Sequence, residues 1–279
     1  MTDPQPAPEP VAQPAPVPLA GVAPIAVQLY TLREEAKVDF AAVVRLVGAM
    51  GFVGVELAGL NGLTPAQFVA VADEAGVRVC SAHLGNLKAD AFEAALDDLQ
   101  AVGCDTVVAA FLPPASFADL DAVRRSADAL NVANAIARGR GLTLGYHNHW
   151  WEFETMIDGR RAWSHLFEMV DPTVFAELDL YWATVGGADP VDVIGEVGER
   201  VRLLHVKDGP ADDPKAAMVA VGDGAVDIAR VLHAAPAVRW HIVELDRCDT
   251  DMATAVERSY RHLVSAGLSR GRGPGPAGG

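Results

Sequence analysis

The chain has 279 residues, 51% of them hydrophobic and 21% charged, with a formal net charge of −15. That length accommodates one large domain with a sizeable core, and so acidic a balance repels phosphate backbones, which argues against nucleic acid as a general partner. Cys80, Cys104 and Cys248 form no C-x-x-C motif, so a reducing, cytoplasmic setting is expected rather than a disulfide scaffold.

In chain order, residues 1–23 alternate proline, alanine and polar residues. This composition predicts a disordered extension, and it lacks the basic start and apolar stretch of a secretory signal. From Pro24 onward, short apolar runs alternate with alanine-rich amphipathic stretches. The runs at 25–30, 53–57, 78–83, 106–111, 142–147, 174–179, 202–206 and 241–245 predict strands. Those at 40–50, 65–75, 91–101, 118–138 and 191–197 predict helices. Gly51, Gly76, Gly103 and Gly141 each follow a helical stretch and precede a strand, where a glycine accepts a left-handed conformation cheaply. Parallel neighbours need crossovers, so eight such strands predict a single-domain (β/α)8 TIM barrel over 24–268, followed by a flexible Gly/Pro tail over 269–279. The first strand leads into Gln28-Leu29-Tyr30-Thr31-Leu32-Arg33, not a G-x-G-x-x-G loop, which argues against a dinucleotide-binding sheet. No apolar run reaches the ~18 residues of a membrane span, and no membrane association is expected.

On such a barrel the chemistry gathers at the C-terminal ends of the strands. Four successive strands close in Tyr146-His147-Asn148-His149, Glu177-Leu178-Asp179, His205-Val206-Lys207-Asp208 and Glu244-Leu245-Asp246. Gln28, Tyr30, Glu56 and His83 add polar groups from strands one to three, whereas strand four ends in the apolar Phe111-Leu112-Pro113-Pro114. The two-residue period of a strand puts His147 and His149 on one face, and likewise His205 and Lys207. A histidine and carboxylate set without cysteine suits Mn²⁺, Mg²⁺, Co²⁺ or Zn²⁺. Such an ion would polarise a carbonyl or hydroxyl, and neighbouring side chains would move protons at the adjacent carbon. Other polar residues have structural readings. His241 falls on the face opposite Glu244 and is expected to pack; His165, His233 and His262 lie in helical stretches and are expected at the surface. Trp150, Trp151 and Trp182 are candidates for core packing or for a sugar-stacking wall. Val221-Gly222-Asp223-Gly224-Ala225-Val226-Asp227 reads as a tight turn with Asp227 at a helix start.

Together, Val27-Gln28-Leu29-Tyr30-Thr31-Leu32-Arg33, the Tyr146–His149 cluster with Glu152-Phe153, Leu178-Asp179-Leu180-Tyr181-Trp182, His205-Val206-Lys207-Asp208, Gly222–Asp227 and Val243-Glu244 carry a resemblance. Over most of residues 25–268 the chain resembles the sugar phosphate isomerase/epimerase superfamily, the xylose isomerase-like TIM barrels. The resemblance implies a metal set of Glu, Asp, His and Glu from strands five to eight. Asp179, His205 and Glu244 match three of these. Where many members have Glu-Asn-His, this chain has His147-Asn148-His149, leaving His147 or Glu152 for the fourth place. The cluster is similar to the branch holding inosose dehydratases and 3-keto-sugar-processing enzymes. The implied roles are His149 or Glu152 as base, Glu244 as a further acid/base group and Lys207 as donor to a substrate oxygen. Gln28, Tyr30, Glu56, His83 and Trp182 are the expected substrate contacts. The implied activity is metal-dependent isomerisation or epimerisation of a sugar or keto-sugar, with dehydration of an inosose or keto-sugar as the alternative. The implied partner is a small sugar or cyclitol, and such barrels are frequently homo-oligomers. Two other readings stay open: a DNA-repair endonuclease of the same superfamily, to which Glu56 and His83 could contribute ligands, and a non-catalytic sugar-binding barrel.

Overall fold

The computed structural model describes residues 22–272, so most of the expected N-terminal extension and residues 273–279 of the expected tail lie outside the described residues. Eight parallel strands close on themselves: β1 (Ile25–Gln28), β2 (Gly54–Leu57), β3 (Arg78–Leu84), β4 (Thr106–Ala109), β5 (Thr143–His147), β6 (Phe175–Asp179), β7 (Val201–Val206) and β8 (Trp240–Val243). Each pairs with its neighbours in sequence, and β8 returns to β1, giving the single closed barrel that the alternating pattern predicts. A two-residue antiparallel hairpin, Met156–Ile157 with Arg160–Arg161, decorates the connection after β5. Among the described residues no helix is long and apolar enough to cross a membrane.

Local chemistry moves several expected boundaries. The first strand stops at Gln28 rather than residue 30, because the Gln28 side chain accepts from Tyr30 N (3.0 Å) and starts the 3₁₀ turn Leu29–Leu32. The following helix already begins at Arg33, but it breaks at Asp39 (φ −154°, ψ 94°). The Asp39 carboxylate accepts from Ala42 N at 2.9 Å and caps the second segment, which is the one the apolar pattern predicts from residue 40. Gly51, Gly76, Gly103 and Gly141 all have positive φ (65–106°), as their positions require. His165, expected at the surface, is instead buried with Nε2 3.0 Å from the Ile157 carbonyl, tying its helix to the hairpin. His241 packs inside with Nδ1 2.9 Å from Ser269 Oγ. The chain is also anchored beyond residue 268: Arg270 exchanges backbone hydrogen bonds with Ala23 and Ile25, and the Arg272 guanidinium donates to the Gly48, Phe52 and Ala75 carbonyls.

Two apolar bodies hold this frame. The larger lies between strands and helices. The smaller, made of Ala26, Cys80, Val108, Phe175, Leu203, Trp240 and Ile242, plugs the barrel interior. Gly54 and Gly145 make room for it: a Cβ on Gly54 would meet the Trp240 ring at 2.5 Å, and one on Gly145 the Phe175 ring at 2.4 Å. Two residues further along the same inward faces the character changes. Ala26 gives way to Gln28, Gly54 to Glu56, Gly145 to His147, Phe175 to Glu177 and Leu203 to His205. Register shifts interrupt pairing between Val55 and Glu56 and between Ala176 and Glu177, where the polar storey begins.

At the end of β7, Asp208 organises the long connection to β8. Its buried carboxylate accepts backbone N–H groups from Gly209 (2.9 Å), Gly222 (2.9 Å), Gly224 (3.1 Å) and Val226 (3.2 Å). A Cβ on Gly224 would sit 2.1 Å from Asp208 Oδ1, which explains that glycine. Asp227 then caps helix Ile228–Ala234, as the turn reading predicts.

Gly145→Ala should lower stability by about 1–3 kcal/mol through overpacking. Phe175→Leu should cost less in that background than alone, a coupling that thermal melts of the four proteins would reveal; additive losses would mean that Gly145 does not serve the plug. Asp208→Ala strands four donors and should cost about 3 kcal/mol. Amide exchange at Gly222, Gly224 and Val226 should accelerate with it, and unchanged protection would contradict this role for Asp208.

Candidate metal centre

The polar storey above the plug has two levels. At the upper level His147, Asp179, His205 and Glu244 each offer one donor atom, all within 4.8 Å of one another. These are the four residues expected as a metal set, and all four are buried. Asp179 is fixed from two sides. Its Oδ1 accepts from Trp182 N at 2.8 Å and so caps helix Leu180–Val185. The Asn148 side chain accepts from Asp179 N (2.9 Å) and donates to Asp179 O (3.2 Å), clamping β6 to the end of β5. Lys207 Nζ lies 2.7 Å from Glu244 Oε2, 2.7 Å from Asp246 Oδ2 and 3.0 Å from Asp179 Oδ2.

At the lower level Glu56 Oε2 is 2.6 Å from His205 Nε2 and 3.1 Å from His83 Nε2, and it accepts from Gln28 Nε2 at 2.7 Å. Glu177 Oε2 is 2.5 Å from His83 Nε2, 3.3 Å from His205 Nε2 and 3.4 Å from His147 Nδ1.

This charge distribution bears directly on whether the residues fit a cation. Glu56, Glu177, Asp179 and Glu244 are four buried carboxylates facing one permanent cation, Lys207. Glu56 Oε1, Glu177 Oε1, Asp179 Oδ2 and His147 Nδ1 have no aligned hydrogen-bond partner among the described residues. Uncompensated buried charge is costly, so the set fits a divalent ion. The same imbalance shifts the titrating groups. Burial raises Asp179 to about 6 against the pull of Lys207, and burial with the Glu56 charge raises Glu177 to about 7. Burial opposes ionisation of Glu244, yet Lys207 and His205 hold it well below the usual carboxylate range. Burial also disfavours charged Lys207, but Asp179, Asp246 and Glu244 outweigh it and keep the ammonium protonated.

A wall of rings flanks the upper level. The His149 ring stacks on Trp151 (centroids 4.5 Å, 8° between planes) and stands edge-on to His147 (5.2 Å) and Phe111 (5.3 Å). Burial, with the Lys207 charge, pushes His149 down to about 3, so the imidazole is neutral, and its Nδ1 has no partner among the described residues. Trp182 lies against Trp150 (4.8 Å) with Lys207 Nζ 5.4 Å from its ring centre, whereas Phe111 is 44% exposed.

Several expected site residues stand elsewhere. Glu152 does not join the ligand cluster: its carboxylate accepts from the Tyr146 hydroxyl and from His149 N, and Tyr146 packs on Phe117 and Trp163 on the other face of β5 from His147. Its short helix Trp151–Glu154 turns the side chain away, and burial raises the carboxyl to about 8. Gln28 and Glu56, expected as substrate contacts, are fully enclosed and bonded to each other. Tyr30 is half exposed beneath the Arg33 guanidinium, which donates to the Asp246 carbonyl; the pair ties the first turn to the loop after β8. His83, with a 12% exposed side chain, and the nearly buried Trp182 do border the centre. Glu177, Asp246 and Asn148 join it although they were not among the expected site residues. The signal for the first two is their two-residue spacing from Asp179 and Glu244.

Comparisons with known proteins agree with this architecture. The structure superposes on a sugar phosphate isomerase/epimerase from Parabacteroides distasonis ATCC 8503 with a TM-score of 0.78 and 22% identity, covering 89% of this chain and 100% of that one. It also superposes on the probable 3-DHS dehydratase AsbF, involved in petrobactin synthesis, from Bacillus anthracis, with a TM-score of 0.70 and 14% identity over 86% of this chain and 98% of that one. At such identities the likeness is one of fold. In sequence, the inosose dehydratase of Geobacillus kaustophilus (strain HTA426) is 24% identical over 183 residues, which are 57% of this chain and 58% of that protein. The chain thus spans under two thirds of that relative's length. Residues 44–265 match the profile of the xylose isomerase-like TIM barrels, and the chain belongs to that family.

Proposed function

We propose that this protein is a divalent-metal-dependent enzyme that moves a proton at the carbon next to a carbonyl of a small sugar, keto-sugar or cyclitol, producing isomerisation or epimerisation. The observation that carries this reading is the convergence of His147, Asp179, His205 and Glu244 beside the buried Lys207 ammonium. An ion held by those four residues would polarise the substrate carbonyl and ease loss of the neighbouring proton. His149 is the proposed proton acceptor, since it stands next to His147 and has an unpartnered Nδ1. Lys207 stays charged and donates to the substrate oxygen on which negative charge develops. Phe111, which is exposed, offers flat apolar surface for the C–H face of a sugar ring, and the buried Trp151 packed beside it and Trp182 against Trp150 limit water.

A second reading, dehydration, has its own support in Glu152. With that carboxylate turned toward Tyr146 and a histidine at the strand-five ligand position, no pair of glutamates faces the substrate from strands five and eight. Proton removal and loss of a β-hydroxyl need a base that passes its proton to the departing hydroxyl, which leaves as water, and a donor to the enolate oxygen, roles for which His149 and Lys207 suffice. The inosose dehydratase relative points the same way.

Both readings predict solvent exchange of a substrate proton. Protein reconstituted with Mn²⁺ and incubated with keto-sugars and inososes in deuterated water should exchange one carbon-bound proton, visible by NMR, and chelation should abolish the exchange. Product analysis then separates isomerisation from water loss. No exchange across that panel would refute the assignment. His149→Ala should slow exchange by roughly 10²–10⁴-fold while leaving bound metal in place. Lys207→Met should cost roughly 10²-fold or more. Exchange at the wild-type rate in His149→Ala would exclude it as the base.

A further inference from the structure

The buried lower level poses a question that the ligand set does not answer. His83, His147, Glu177 and His205 form a second group of donors within 4.8 Å of one another, and it shares His147 and His205 with the upper group. The two shared imidazoles face the two levels with opposite nitrogens. His205 turns Nδ1 to Glu244 (2.8 Å) and Nε2 to Glu56 (2.6 Å). His147 turns Nε2 toward Asp179 Oδ2 (3.8 Å) and Nδ1 toward Glu177 Oε2 (3.4 Å). The two groups share both rings, so two ions would have to compete for His147 and His205 and neither would hold a full set. One ion per chain is the consistent occupancy. A histidine that binds metal through one nitrogen characteristically donates its other N–H to a carboxylate, which fixes the tautomer and orients the ring.

We infer that Glu56 and Glu177 are positioning residues for two metal ligands, Glu56 locking His205 through a hydrogen bond and Glu177 steering His147 by its charge at 3.4 Å without one, and that Gln28 and His83 hold those two carboxylates in place. The inference rests on the metal reading proposed above. Glu56 receives Gln28 Nε2 at 2.7 Å, and His83 Nε2 lies between Glu177 (2.5 Å) and Glu56 (3.1 Å), so the carboxylates are braced from below and from the side. Glu177 precedes Asp179 by two residues on the inward face of β6, one step deeper in the barrel. The lower level therefore serves the upper one and does not take an ion itself.

Mn²⁺ titration of metal-free protein by calorimetry, with stoichiometry and affinity read separately, tests this. Wild type should bind one ion per chain. Glu56→Gln and Glu177→Gln should still bind one, about 10–100-fold more weakly. Gln28→Met leaves both carboxylates in place and removes only the brace on Glu56; it should weaken binding several-fold and keeps the test open if a glutamate variant does not fold. Melting of the metal-free proteins separates this effect from general loss of structure, since weaker binding is expected even where the melting temperature is unchanged. Two ions in wild type, falling to one in Glu177→Gln, would overturn the inference and make the lower group a metal site. Unchanged affinity in the folded variants would overturn it as well. Wild-type protein that binds one ion but exchanges no substrate proton would remove the functional reading and leave this one standing.

Discussion

Concentrated negative charge inside a closed barrel is the constraint around which the rest of the molecule is arranged. Four carboxylates with 0–4% exposure share the upper half of the barrel with a single ammonium. Each buried carboxylate must be paired or protonated, because desolvation penalises its charged form heavily. The protein answers in three ways. Lys207 pairs with Asp179, Glu244 and Asp246; His83 and His205 share protons with Glu56 and Glu177; and oxygens with no donor remain over. Asp179 Oδ2 and the Oε1 atoms of Glu56 and Glu177 are the oxygens left without an aligned donor among the described residues, an excess of acceptors that suits a cation nearby. Replacing Lys207 with a neutral residue would strand three carboxylates at once, so its contribution to stability and to substrate binding are not independent quantities.

The lower half of the barrel makes such a concentration tolerable. Phe175 and Trp240 fill the interior only because β5 and β2 carry Gly145 and Gly54 opposite them. The apolar plug closes the barrel from below, so that water reaches the charged layer from the strand C-termini. On β6 a single five-residue strand spans both regimes, from Phe175 in the plug through Glu177 to Asp179 at the mouth. The register shifts beside Glu56 and Glu177 fall at this boundary, where inward side chains must be re-aimed from packing to hydrogen bonding.

Much of this was legible in the sequence because a strand has a strict two-residue period. Once β5 to β8 are located, the inward faces containing His147, Asp179, His205 and Glu244 follow, and so would Glu177. Residues beyond a strand end escape that rule. Glu152 lies on a single helical turn whose direction is set by the packing of Tyr146 against Trp163 and Phe117, long-range contacts that no local pattern encodes. The pairing of Asp208 with a glycine-containing loop fourteen residues or more further on is equally invisible locally, although both motifs are plain in the chain. His165 was misplaced for a related reason: its burial depends on a hairpin of two-residue strands too short to predict.

The departure at β5 has a chemical consequence. A glutamate at the strand-five ligand position would add a fourth anionic group to Asp179, Glu244 and the Lys207-bound Asp246 around the upper level. His147 is neutral there, since burial and the charges of His205 and His83 hold its protonation well below the ordinary range. Fewer anionic ligands leave more of the positive charge on a bound ion, and a stronger pull on a substrate carbonyl. The glutamate that this region does possess, Glu152, is held on the other face of β5 by Tyr146, where its raised pKa favours the neutral form and it adds no charge to the centre. On the proposed metal reading, the strand thus lowers the negative charge around the ion while a neutral imidazole, His149, stands with its ring 5.2 Å from that of His147. Under that reading, those changes would favour chemistry that needs a strongly polarised carbonyl and one base over a pair of opposed carboxylates.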